Sequence, residues 1–196
     1  MKKTAILGGT FNPLHLAHIR LIETVCAAKI VDDILLIPNR IPPHKECDYL
    51  AEDEHRLNMC KIVADKYSNV RVCDIELKRE GKSYTYDTVM TLKKIRPAQY
   101  YFICGADMIN TFYTWYRADE LIKEMNIIAI RRGGIDDLEF NSSVQNLKNI
   151  GANLIVLDMP PLEISSTMIR NGGDETNKFL SQGIAQYIKD NKLYGR

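Results

Sequence analysis

Gly8-Gly9-Thr10-Phe11-Asn12-Pro13-Leu14-His15-Leu16-Ala17-His18 stands between a short apolar run, residues 4–7, and a stretch in which Ile19, Ile22, Val25 and Cys26 recur at helical spacing. The segment therefore joins a strand to a helix. Paired glycines let the main chain turn sharply and let a ligand approach it closely. The first turn of the helix offers unpaired N–H groups and a positive dipole end, both suited to phosphate. His15 and His18 are three positions apart, so they share one face of that turn and can donate into the same anionic space. The loop is neither of the two commonest phosphate loops: it lacks the Gly-Lys-Ser/Thr ending of a P-loop and the GxGxxG of a dinucleotide site. A zinc site on this histidine pair needs further ligands, and the other histidines are His44 and His55.

Beyond this loop, short apolar runs alternate with amphipathic stretches. Strands are predicted at residues 4–7, 33–37, 70–77, 100–104, 127–130 and 154–157. Helices are predicted from the stretch after Pro13 and over 51–67, 85–95, 118–124, 144–150 and 181–191. This alternation argues for an α/β, doubly wound, mainly parallel sheet covered on both faces, a Rossmann-like sandwich, in one domain spanning 1–196. Ligands in such folds lie beyond the carboxyl ends of the strands. The unusual residues cluster there: 8–18, 39–45, 83–88, Gly105-Ala106-Asp107, Arg131-Arg132 and 164–170.

The last of these clusters reads Ile164-Ser165-Ser166-Thr167-Met168-Ile169-Arg170 and comes after Pro160-Pro161. Hydroxyls at a helix start cap it and build an anion site. Arg170 lies one turn after Ser166, and a guanidinium suits a polyphosphate.

Together the two segments resemble the signatures of the nucleotidyltransferase family related to class I aminoacyl-tRNA synthetases. The first matches GGTFDPxHxGH over eleven positions with two departures, Asn12 for Asp and Ala17 for Gly; the second matches ISSTxIR without departure. The resemblance implies that His15, His18 and Arg170 are catalytic. It also implies that Gly8, Gly9, Thr10, Phe11, Gly105, Asp107, Ile164, Ser165, Ser166 and Thr167 bind ATP. The attacking group is then a phosphate oxygen of the acceptor, and positioning and electrostatics suffice without a protein nucleophile. Mg²⁺ is the expected cofactor, bound through the ATP phosphates and water rather than by protein side chains.

The middle of the chain resembles the bacterial nicotinate mononucleotide adenylyltransferases. The features are Ile41-Pro42-Pro43-His44-Lys45, Ser83-Tyr84-Thr85-Tyr86-Asp87-Thr88, and Phe102-Ile103-Cys104-Gly105-Ala106-Asp107 with Trp115-Tyr116 beyond it. The Tyr187-Ile188 and Leu193-Tyr194 tail is similar as well. The resemblance implies an acceptor site of His44, Lys45, Thr85, Trp115 and Tyr116, and the reaction of ATP with nicotinate mononucleotide to give nicotinate adenine dinucleotide and pyrophosphate, a step in NAD synthesis. Trp115 offers a face to a pyridinium ring, and a helix start at Thr85 favours a carboxylate over a carboxamide.

Composition is compatible with this reading. Lys plus Arg is 26 and Asp plus Glu is 25, so no basic field argues for nucleic acid. Cys26, Cys47, Cys60, Cys73 and Cys104 form no CxxC pair and read as reduced core residues. No run approaches a membrane span, the start is not a signal peptide, and a cytoplasmic location is expected. Assembly into a homo-oligomer is left open. Three other readings compete. Phosphopantetheine adenylyltransferase lacks the 83–88 and Trp115 features, a nucleotide sensor need not retain His15, His18 and Arg170, and a tRNA-binding fragment calls for a basic surface.

Overall fold

The computed structural model describes residues 1–40, 49–131 and 137–196. Its strands are β1 Lys3–Gly9, β2 Asp33–Pro38, β3 Val70–Val72, β4 Gln99–Gly105, β5 Asn126–Arg131 and β6 Leu154–Asp158. They form one six-stranded sheet in the order β3-β2-β1-β4-β5-β6, and every neighbouring pair is parallel. The helices are α1 Leu16–Ala28, α2 Asp53–Ala64, α3 Thr85–Ile95, α4 Ala106–Asn110, α5 Ala118–Glu124, α6 Asp137–Asn149, α7 Ser166–Asn171 and α8 Gln182–Asp190.

The strands are continuous apolar runs because both faces of the sheet are covered. Successive side chains point to opposite faces. Ala5, Leu7, Ile34, Leu36, Tyr101, Ile103, Ile128 and Ile130 pack on one side with α1, α2, α8 and Ile169 of α7. Ile6, Leu35, Ile37, Tyr100, Phe102, Cys104, Ile127 and Ala129 pack on the other with α3, α5, α6 and Ile109 of α4. The chain runs outward from β1 to β3, then returns to lay β4 against the free side of β1. Connections after β1 and β4 therefore diverge, and the crevice beyond their carboxyl ends is the ligand position of a doubly wound sheet.

The doubly wound parallel sheet is as expected, with local differences. The strand expected over 70–77 stops at Val72, and residues 74–80 form turns in which Lys78 N–H bonds Asp74 O at 3.1 Å. As an edge strand β3 pairs only with β2, and the alternative for the next residues is to bury Glu76 against the Thr88 hydroxyl at 2.7 Å. The helix expected over 144–150 begins at Asp137. Its buried face, Phe140, Val144 and Leu147, is a helical repeat, but Asn141, Ser142 and Ser143 are weak helix formers that obscured its first turns. The helix expected over 51–67 is shorter, and α4 was not anticipated.

Asp33 lies at the other end of the sheet from the crevice. It is 2% exposed and accepts from the Thr4 hydroxyl at 2.7 Å, from Lys2 Nζ at 3.0 Å and from the Arg96 guanidinium. Burial alone raises its pKa, but the bonds from Thr4, Lys2 and Arg96 outweigh burial and hold the carboxyl below its ordinary value. A depressed folded pKa gives stability that is present above the unfolded value, about 4, and is lost as pH falls through the folded value. Asp33→Asn is expected to lower unfolding free energy by about 1–3 kcal/mol at neutral pH. Denaturant unfolding of the two proteins from pH 7 downward checks this: the gap should close below pH of about 4. A gap that is constant with pH would mean that the carboxylate charge contributes nothing.

Candidate active site

Gly8 and Gly9 are the last residues of β1, in register with Ile37 and Pro38 of β2. They do not make the turn, which corrects the sequence expectation. The left-handed residue is Phe11, with φ of 49° and 1% exposure, and a cis Asn12-Pro13 bond comes directly after it. The glycines allow close packing of neighbouring rings instead. A Cβ on Gly9 would lie 3.1 Å from the Phe11 ring, and one on Gly8 would lie 3.3 Å from the Phe102 ring. Thr10 connects this strand end to Phe11.

His15 caps α1 in extended conformation, and its backbone N–H donates to His18 Nδ1 at 3.3 Å. The rings lie 3.8 Å apart between centroids, tilted by 34°, with the Phe11 ring edge-on to His18 at 5.2 Å. Because His18 Nδ1 accepts, its neutral tautomer carries the proton on Nε2, the geometry of a hydrogen-bond donor. Ala17 is buried in the helix, where the added methyl is accommodated.

The second signature opens α7. Ser165 Oγ accepts from Met168 N–H at 3.1 Å, a true N-cap. Ser166 Oγ donates to Pro13 O at 3.0 Å, and Arg170 Nη1 donates to Asn12 O at 2.9 Å. Arg170 Nη2 also reaches Thr167 Oγ1 at 3.2 Å. Ile164 packs against the core beside them. The two motifs, at opposite ends of the sequence, are thus one surface.

At the neighbouring strand end, Gly105 closes β4 and caps α4, whose first turn holds the exposed Asp107. Thr85 is the first residue of α3; its cap, Tyr84, makes no side-chain capping bond, so the first-turn N–H groups are not satisfied by a cap hydroxyl. Trp115 stacks on Phe112 at 4.8 Å between ring centroids and meets Phe102 edge-on at 5.5 Å, one ring away from Gly8. Tyr116 stacks on Tyr84 at 4.6 Å. Thr85, Trp115 and Tyr116 therefore border the end of β4. His44, Lys45, Cys47 and Arg132 lie outside the described residues. Arg131 Nε bonds Asp158 at 2.6 Å across β5 and β6.

Asn12, Tyr194 and Arg56, to which sequence reasoning gave no role, complete the site. Asn12 is 1% exposed; its Nδ2 donates to Tyr49 O at 2.7 Å, and its Oδ1 accepts from Ala51 N–H at 3.1 Å and from the Tyr194 hydroxyl at 2.9 Å. Burial, first, and Tyr49 push the Tyr194 pKa up against the pull of Arg170, Arg56 and Arg196, so it stays a donor. Arg56 is fully buried among the carbonyls of Thr10, Asn39 and Ala51. The one legible signal was a charged residue on the same helix face as Met59, Cys60 and Val63. Cys60 and Cys104 are buried and free, with thiol pKa values pushed up by burial. Among the described residues no three His, Cys, Asp or Glu side chains are grouped to hold a metal ion, and no helix is long and apolar enough to cross a membrane.

Known proteins resemble this chain in sequence and in fold. The cytidylyltransferase-like family model matches residues 6–172. A protein of Oceanobacillus iheyensis named "Probable nicotinate-nucleotide adenylyltransferase" is 37% identical, with 100% of this chain and 98% of that protein covered. One of the same name from Carboxydothermus hydrogenoformans is 39% identical, with 98% of each covered. Two solved structures of Plasmodium falciparum nicotinic acid mononucleotide adenylyltransferase, complexed with APC and with NaAD, superpose with TM-scores of 0.80 and 0.79 at 25% identity, covering 100% of this chain and 98% of theirs.

Asn12 explains its own departure from the signature, since its amide supplies the donor to Tyr49 O. Asn12→Asp would turn that contact into two facing oxygens, costing about 1–3 kcal/mol of stability at pH 8. The introduced carboxyl is disfavoured when ionised, so its folded pKa is raised and the deficit shrinks as pH falls and the protonated acid donates again. Thermal unfolding against pH checks this; equal stability of the two proteins at pH 8 would contradict the assignment.

Proposed function

The chain belongs to the cytidylyltransferase-like family, among its nicotinate-nucleotide adenylyltransferases, and on that premise we propose how its residues transfer AMP from ATP to nicotinate mononucleotide. A phosphate oxygen of the mononucleotide attacks the α-phosphorus of ATP, the bond to the β-phosphate oxygen breaks, and pyrophosphate leaves with its electron pair. The products are nicotinate adenine dinucleotide and pyrophosphate.

One observation carries the assignment of roles. Ser166 and Arg170 of the second signature are bonded to the main chain of Pro13 and Asn12 in the first, beside His15 and His18. Imidazole N–H groups, a guanidinium and the starts of α1 and α7 then surround one polyanion. The histidines stabilise charge at the α-phosphate, and Arg170 with 165–167 holds the β- and γ-phosphates. Gly8 and Gly9 bring main chain close to the nucleotide, and Asp107 accepts from a ribose hydroxyl. Thr85, Trp115 and Tyr116 receive the acceptor's pyridine ring, with His44 and Lys45 on its phosphate. Mg²⁺, held through the ATP phosphates and water rather than by protein side chains, would neutralise part of the polyphosphate charge. No side chain acts as a nucleophile. A cytoplasmic location suits an enzyme whose substrates are soluble nucleotides.

The acid is preferred to the amide because first-turn N–H groups of α3 can bond a carboxylate, whereas a carboxamide presents a donor to donors. Pyrophosphate release should be measured across nicotinate mononucleotide, nicotinamide mononucleotide, phosphopantetheine and FMN. The expected kcat/KM favours nicotinate mononucleotide over its amide roughly tenfold to hundredfold. A greater kcat/KM with phosphopantetheine would reassign the acceptor. His18→Ala should lower kcat by about 10²-fold or more while ATP affinity falls less. Arg170→Lys should raise KM for ATP with little change in KM for the acceptor, and the reverse pattern would move Arg170 to the acceptor side.

A further inference from the structure

Arg56 sits in the first half of α2 with no exposed surface, the largest fully buried side chain among the described residues. Met59, Cys60 and Val63 of the same helix are ordinary core residues, and an apolar side chain would pack there at no electrostatic cost. A guanidinium does not, because a buried cation carries a large desolvation penalty unless its donors are well matched. Here they are matched. Nε donates to Ala51 O at 3.0 Å, Nη1 to Thr10 O at 2.9 Å and to Asn39 O, and Nη2 to Asp53. Three of these four acceptors are main-chain carbonyls, one in the connection after β1 and two at opposite ends of the connection after β2.

Those connections are the ones that meet at the site. Thr10 belongs to the phosphate turn. Asn39 comes directly after β2, and its N–H donates back to Gly9 O at 3.0 Å. Ala51 N–H donates to Asn12 Oδ1 at 3.1 Å. The turn is therefore tied on both sides of Phe11 to the two ends of the connection after β2, and the guanidinium bonds all three points. A lysine offers three donors at one point and cannot span the same acceptors.

We infer, given the adenylyl-transfer reading, that Arg56 is a positioning residue, which fixes the ATP-side turn relative to the connection after β2 so that donor and acceptor phosphates meet in line. Arg56 has no exposed surface with which to meet a substrate, so its loss disturbs the joint geometry more than either binding event. Misplacement of about 1 Å between reacting groups costs about 10²-fold in rate.

The test compares unmodified enzyme, Arg56→Lys and Asp53→Ala by steady-state kinetics with ATP and nicotinate mononucleotide, by calorimetric titration with ATP alone, and by unfolding curves that set the assay temperature well below the transition. Arg56→Lys is expected to bind ATP within about threefold of the unmodified enzyme while kcat falls about 10- to 100-fold. Asp53→Ala frees one edge of the guanidinium without altering any of the three carbonyl acceptors, and kcat should fall about threefold to tenfold with ATP binding unchanged. A folded Arg56→Lys enzyme with unchanged kcat, or a loss confined to KM, overturns the inference. If Arg56→Lys does not fold, unchanged kcat in Asp53→Ala overturns it. Failure of the unmodified enzyme to turn over nicotinate mononucleotide would instead overturn the functional reading.

Discussion

The rest of the site depends on how the peptide and side chain of Asn12 are held. Its carbonyl receives Arg170, its Oδ1 receives Ala51 N–H and the Tyr194 hydroxyl, and its Nδ2 reaches Tyr49 O. One buried residue thereby gathers the phosphate turn, the segment before α2, the second signature and the C-terminal tail. Tyr49 and Ala51 belong to the connection before α2 and Tyr194 to the tail, which alone have little to hold them in place, while Arg170 belongs to α7. Buried amides and carbonyls that are all satisfied fix one arrangement, whereas a half-satisfied set would be worse than an apolar contact.

The sheet divides labour along its strands. At the amino ends, Asp33 with Thr4, Lys2 and Arg96 is an ionic cluster that serves stability. At the carboxyl ends, Gly8 and Gly9 remove side chains and let the Phe102 and Phe11 rings crowd in, and Gly105 closes β4 beside them. The order with β1 and β4 adjacent places the divergence of the two halves at that glycine-rich end. Every strand contributes its core residues by simple alternation, and the chemistry is left to the connections that leave the carboxyl ends.

That division decides how much function is legible in the sequence. Alternating apolar runs made the sheet and its flanking helices legible, and helix α3 begins at Thr85 and ends at Ile95 as its pattern reads. The two signatures were legible because their residue types are unusual together. Long-range polar contact was hidden. Nothing local marks the Tyr194 hydroxyl as a partner of Asn12 or the Arg56 guanidinium as a partner of Thr10 O. The paired glycines were visible, but the reason for them was not: the space is taken by Phe11 and Phe102 rings, and the left-handed turn falls on Phe11 itself. Edge strand β3 ended early because propensity alone does not count pairing partners.

In the proposed reaction, transfer is direct between two bound phosphates, with protein donors supplying position and charge. The thiols of Cys60 and Cys104 are buried and held protonated, and the His15–His18 pair is read as a donor rather than a nucleophile. The most direct test is exchange of isotopically labelled pyrophosphate into ATP, with and without nicotinate mononucleotide. Direct transfer predicts label in ATP only when the mononucleotide is present, because pyrophosphate must then attack a formed dinucleotide. Exchange with ATP and pyrophosphate alone would require an adenylylated side chain and would contradict direct transfer.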